Sequence, residues 1–129
     1  MQTASRDIKA QRKEQRLVRE YVDWLCKKGT KPPVVKSYEC RTGWPTCDLY
    51  DSHHNVLIEA KACADRGAIR MAIGQLFDYR YLHGRDKRNQ RAPTLAILVP
   101  KRPDDDLRGL SKSLNIAVFW KGNGGFHQE

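Results

Sequence analysis

Apolar and polar positions change period several times along this chain, and each change marks an element. Leu17, Val18, Tyr21 and Leu25 recur at helical spacing. They predict a first helix from about Asp7 to Lys28, stopped by Gly29 and the Pro pair that follows. VVKSYEC (34–40), TCDLYD (46–51) and VLIEAKA (56–62) alternate as strands and are joined by the turn segments RTGWP and SHHN. The period then becomes helical from Arg66 to about Leu82, with Ala68, Met71, Ala72, Tyr79 and Leu82 sharing a face. TLAILVP (94–100) is continuously apolar, as a strand buried on both faces would be. Pro103 and three Asp residues open a third helix, and NIAVFW (115–120) is the last strand. The predicted order is αβββαβαβ, an α/β fold with a mixed sheet flanked by helices. Residues 1–129 form one domain with a core over about 7–120, and both ends, including the Gly-rich tail KGNGGFHQE, are expected to be frayed.

Five polar residues stand out against this pattern. Glu59 and Lys61 break an apolar strand and share a face with Leu57, opposite Val56, Ile58, Ala60 and Ala62. Asp48 and Tyr50 share a face of the preceding strand, opposite Cys47 and Leu49. Pairing through the SHHN turn sets Asp48 beside Glu59. On the first helix, at about 100° per residue, Leu17, Val18, Tyr21 and Leu25 all fall within about 60° of Glu14, while Glu20 lies about 120° away. Glu14 is therefore on the buried stripe and Glu20 is a solvated acid. Gln75 interrupts the inward face of the second helix in the same manner. Unpaired buried polar groups are costly, and one shared cluster satisfies all of them.

Carboxylates at that density need a cation. Oxygen ligands of this kind suit Mg²⁺, or Mn²⁺ in its place, held by one or two carboxylates plus water and substrate phosphate. Lys61 beside it can orient or deprotonate a water, or neutralise a phosphate. The bland reading of Glu59 and Lys61 is a salt bridge worth about 1 kcal/mol or less if exposed.

The net charge of +9 points to an anionic partner, nucleic acid first. The charge is clustered: residues 80–91 carry five Lys/Arg against one Asp. Cys26, Cys40, Cys47 and Cys63 lack zinc-site spacing and read as reduced thiols. His53 and His54 read as an exposed turn, and Trp24, Trp44 and Trp120 as core or rim residues. There is no signal-peptide core and no membrane-spanning run, so a cytoplasmic protein without membrane contact is expected.

Glu14, Asp48, Glu59-Ala60-Lys61 and the Gln75-x₃-Tyr79 spacing together resemble the PD-(D/E)xK nuclease superfamily. The stretch EQRLV is similar to the opening of archaeal Holliday-junction resolvases, and the span from CDLYD through LIEAKA to QLFDYR is similar to nuclease domains of restriction-like proteins. One departure is Cys47 where Pro often precedes the first acid. The resemblance spans residues 14–120 and implies a restriction-endonuclease-like core. The implied activity is phosphodiester hydrolysis by a DNA endonuclease of restriction or repair type, with DNA favoured over RNA. Asp48, Glu59, Glu14 and the Ala60 carbonyl would ligate the metal. Lys61 would position or activate the attacking water, and Gln75 would orient Lys61 or the metal site. Tyr79 would pack behind the site or touch nucleic acid. Arg70, Lys87, Arg88 and Arg91 would take phosphates. A homodimer that cuts two strands is compatible with this. The alternatives are a toxin nuclease acting on tRNA or DNA, and a non-catalytic nucleic-acid-binding module on the same fold.

Overall fold

The computed structural model describes residues 2–129, with side chains from residue 7 onward. It is an α/β fold: a six-stranded mixed sheet flanked by three helices. The elements are α1 (Gln2–Lys27), β1 (Val34–Ser37), β2 (Thr46–Asp51), β3 (Val56–Ala60), α2 (Arg66–Gly84), β4 (Thr94–Val99), α3 (Asp105–Ser113), β5 (Ile116–Gly122) and β6 (Gly125–Gln128). The strands lie in chain order, β1 to β6. The β3, β4 and β5 strands are parallel, and the β1–β2, β2–β3 and β5–β6 pairs are antiparallel. No helix among the described residues is long and apolar enough to cross a membrane.

The two crossover helices share one face of the sheet. Ile69, Ala72, Leu76, Tyr79 and Leu82 of α2 and Leu107 of α3 bury against Leu57, Leu95, Ile97, Val99 and Val118. On the other face Leu17 and Tyr21 of α1 cover Leu49, Ile58, Ala60, Leu98 and Phe119. The β4 strand is buried at five of six positions, as its unbroken apolar run requires. Local chemistry sets the helix ends. Asp65 and Asp104 cap α2 and α3 by accepting from Ala68 N (2.9 Å) and Leu107 N (2.9 Å). The α1 helix ends with Gly29 at φ 77°, where Thr30 N donates to Leu25 O and Gly29 N to Cys26 O, a Schellman closure.

Several expectations are corrected. The α1 helix starts at Gln2, inside the stretch expected to be frayed, while Met1 lies outside the described residues. Strands β1 and β3 stop at Ser37 and Ala60, short of Cys40 and Ala62. Met71 is 61% exposed, because the buried stripe of α2 is centred on Ile69, Ala72 and Leu76. Glu20 is half-buried and pairs with Lys121 across to β5 rather than facing solvent alone.

The tail is not frayed either. Asn123-Gly124, with Gly124 at φ 78°, closes a hairpin between β5 and β6. Phe126 then packs on Tyr21 and Trp24 of α1. Gly125 sits at φ 140°, and a Cβ there would overlap the Trp24 indole nitrogen. Gly125→Ala is therefore expected to destabilise the fold by about 2 kcal/mol, through the left-handed backbone and overpacking together. Chemical denaturation checks this, and an unchanged midpoint would show that β6 is not part of the folding unit.

Candidate active site

Strand β2 does not keep a simple alternation. Along β1, Val34 is opposite Tyr50 but Lys36 is opposite Cys47, so Val35 of β1 faces two residues of β2, Asp48 and Leu49. This extra residue is a bulge over 47–50, which breaks the ladder and re-aims side chains. Cys47 and Tyr50 consequently join the α2 side and Leu49 the α1 side. The expected sharing of a face by Cys47 and Leu49 is thus corrected.

The bulge sets the acid. Ala60 N donates to Asp48 Oδ2 at 2.8 Å, so a side chain takes the place of a ladder carbonyl. Asp48 N in turn points at Glu59 Oε1 at 3.4 Å. The two carboxylates are therefore neighbours across β2–β3, as expected. Glu59 is 4% exposed and Lys61 5%. Lys61 Nζ stands 3.8 Å from Glu59 Oε2, while its backbone N donates to Leu98 O at 2.9 Å, which holds the chain in line beyond the end of β3. Asp48 keeps partial exposure and is the open side of the cluster.

Glu14 arrives from α1. It is half-buried, feels the charges of Lys61 and Asp48, and is reached by the Ala62 backbone N–H. Burial raises its pKa, Lys61 opposes that shift and Asp48 adds to it. Asp48 is also raised, chiefly by burial against the lowering effect of the Ala60 N–H. Burial, then the Asp48 charge, push Glu59 up to about 8 despite Lys61. Burial thus leaves these carboxylates reluctant to ionise, with Lys61 opposing the shift of each.

The α2 helix closes the back. Tyr79 is buried and its hydroxyl donates to Thr46 O at 3.0 Å. Burial and the Glu59 charge raise its pKa. The buried phenol is spent on Thr46 O and packs behind Glu59. One turn earlier, Gln75 is half-buried with an Oε1 that has no hydrogen-bond partner among the described residues. Cys47 is pushed up to about 12 by burial first and the Glu59 charge second, so it is an inert thiol here.

The oxygen set fits a hard divalent cation. Asp48, Glu59, Glu14 and the Ala60 carbonyl are all oxygen donors, and the orphaned Gln75 Oε1 can accept from a bound water. No group of three or more His, Cys, Asp or Glu side chains among the described residues is gathered closely enough to make a complete cage. Mg²⁺ commonly takes only one or two carboxylates and completes its shell with water and phosphate, and Asp48 and Glu59 are two neighbouring carboxylates.

The basic residues divide. Arg70 is exposed on the second turn of α2, at the end that follows Lys61. Lys87, Arg88 and Arg91 are exposed, but Arg88 is tied to Asp86 at 2.8 Å. Arg91 O accepts from Asn55 Nδ2 at the β2–β3 hairpin tip, the end of β3 away from Glu59. The basic loop therefore ends at the opposite end of β3 from Glu59. His53 and His54 are exposed as expected, with His54 bonded to Asp51. All four cysteines are free. Comparison with protein-family models, with curated proteins and with solved structures gives no match.

Proposed function

We propose that this chain is a divalent-metal-dependent nuclease with a restriction-endonuclease-like core, cutting DNA in preference to RNA. The observation that carries the reading is the convergence of Glu14, Asp48, Glu59 and Lys61, from three elements, at the carboxyl end of β3. Ligand sites in α/β sheets favour that end of the strands. The order of elements and the in-sequence strand order also suit such a core.

Asp48, Glu59, the Ala60 carbonyl and Glu14 would hold Mg²⁺ or Mn²⁺. The ion would supply charge neutralisation at the scissile phosphate and a more acidic water. Asp48, on the open side, meets substrate first. Lys61 is fixed by its backbone bond to Leu98 O and by the Glu59 carboxylate, so its ammonium is held where charge builds up on a phosphate. Gln75 Oε1 is available to orient a water, and Tyr79 keeps the wall behind Glu59 rigid. The exposed Arg70 and the +9 net charge draw the polyanion in.

The test is incubation of the chain with plasmid, linear duplex, single strands and tRNA, with Mg²⁺ or with EDTA. Cleavage in Mg²⁺ alone is expected. Lys61→Ala should lower kcat by about a hundred-fold or more at near-constant affinity, because an interaction made only in the transition state leaves binding alone. Cleavage undiminished by EDTA would end the metal-dependent reading. A pure binding loss in Lys61→Ala would make it an ordinary phosphate contact.

A further inference from the structure

We infer that Trp44 is a stacking platform for an unpaired base of the strand that reaches Asp48 and Glu59, so that this site prefers nucleic acid with an unpaired segment over intact duplex. The inference rests on the nuclease reading above and names its substrate class.

Trp44 is 65% exposed, whereas Trp24 and Trp120 are half-buried and lie against Phe126 and His127. Among the described residues Trp44 has no aromatic partner and no cation over its ring. An indole left in water forgoes a large burial gain, and it is held there firmly. Tyr38 N donates to Pro45 O (2.9 Å) and Thr46 Oγ1 to Trp44 O (3.0 Å), and Thr46 Oγ1 also meets Ser37 Oγ (3.0 Å). Arg85 anchors the far side of the same connection through Glu39 O (2.7 Å). The turn is a fixed mount, and the ring is its exposed load.

The mount stands at the end of the sheet that holds the acids. Thr46, two residues on, accepts the Tyr79 hydroxyl behind Glu59, and Asp48 follows. Trp44 lies four positions before Asp48, so their backbones are at most about 14 Å apart. That span covers about four stacked nucleotides of one strand. Lys36 and Arg41 flank the turn with positive charge for the connecting phosphates. Every base has a π-face, so an aromatic ring beside a cationic path binds single strands without reading sequence. Inside an intact duplex both faces of each base are already covered. The ring then finds a partner only where a base is unpaired.

Binding measured in EDTA separates this from catalysis. Fluorescence anisotropy would follow a labelled single-stranded oligonucleotide and the same sequence as blunt duplex, against wild type, Trp44→Ala and Trp44→Phe. Trp44→Ala is expected to weaken single-strand binding by about ten-fold or more, with Trp44→Phe retaining most of it and duplex binding little changed. Unchanged single-strand binding in Trp44→Ala, an equal loss on duplex, or no nucleic-acid binding by wild type would overturn the proposal. Adding Mg²⁺ to the same samples tells the two readings apart. Cleavage with no Trp44 effect rejects the platform and keeps the nuclease. A Trp44 effect without cleavage by wild type rejects the nuclease and supports the platform.

Discussion

Asp48→Asn and Glu59→Gln are each expected to lower Mg²⁺-dependent turnover about a thousand-fold or more while the protein stays folded. Several kcal/mol of transition-state stabilisation depend on charge that these two carboxylates gather, and each 1.36 kcal/mol is a factor of ten in rate. The choice of amides matters. Asp48 Oδ2 accepts the Ala60 N–H at 2.8 Å, and an asparagine oxygen can still do so. Alanine at 48 would leave that N–H unpaired at a cost of about 1–3 kcal/mol and confuse lost chemistry with lost structure. Glu59→Gln keeps the volume of a nearly buried side chain and removes a charge that its surroundings resist. Its melting temperature in metal-free buffer should therefore equal or exceed wild type. Turnover near wild type in either variant would remove the pair from the chemistry and leave it as a buried polar contact.

Much of this site was legible because it rests on periodicity. Glu14 could be placed inward because helical phase is set by its apolar neighbours, and Leu17 and Tyr21 are indeed buried beside it. Asp48 could be placed by Glu59 because a short turn fixes the register of two strands. The bulge in β2 was not legible. No glycine marks it, and its partner is a side chain on the next strand rather than a backbone group. The phase of α2 was misjudged at Met71 because nearly every position of that helix outside its charges is apolar enough to be inside. The β6 hairpin carried a recognisable Asn-Gly signal, but three glycines in the tail masked it. What holds β6 is Phe126 against Tyr21 and Trp24, more than a hundred residues away in sequence. Burial at that separation leaves no local trace. Trp44 reversed the usual expectation for tryptophan, and only the surface could reveal that.

The second large effect is on stability and follows from Glu59. In metal-free buffer the melting temperature is expected to fall as pH rises from about 5 to 8. Burial first, and the Asp48 charge second, raise the folded-state pKa of Glu59 to about 8. The unfolded chain returns it to the ordinary range near 4.3. Below that range both states hold the proton and the stabilisation is fully present. Between the two values only the folded state holds it, so stability is lost steadily until pH passes about 8. At about 1.36 kcal/mol per pH unit of unequal proton uptake, the total is a few kcal/mol, and the raised pKa of Asp48 acts with the same sign. Asp65 and Asp86, whose pKa values are lowered, act in the opposite sense below this window, and the lowered pKa of His83 opposes the trend in its lower half. Glu59→Gln should flatten the slope. Mg²⁺ binds the ionised pair and only in the folded state, so it should raise the melting temperature more at pH 8 than at pH 5. Thermal melts at three pH values, with and without Mg²⁺, decide the matter. A slope of the opposite sign, or the same slope in Glu59→Gln, would show that Glu59 meets its charge in the folded protein without help from a metal.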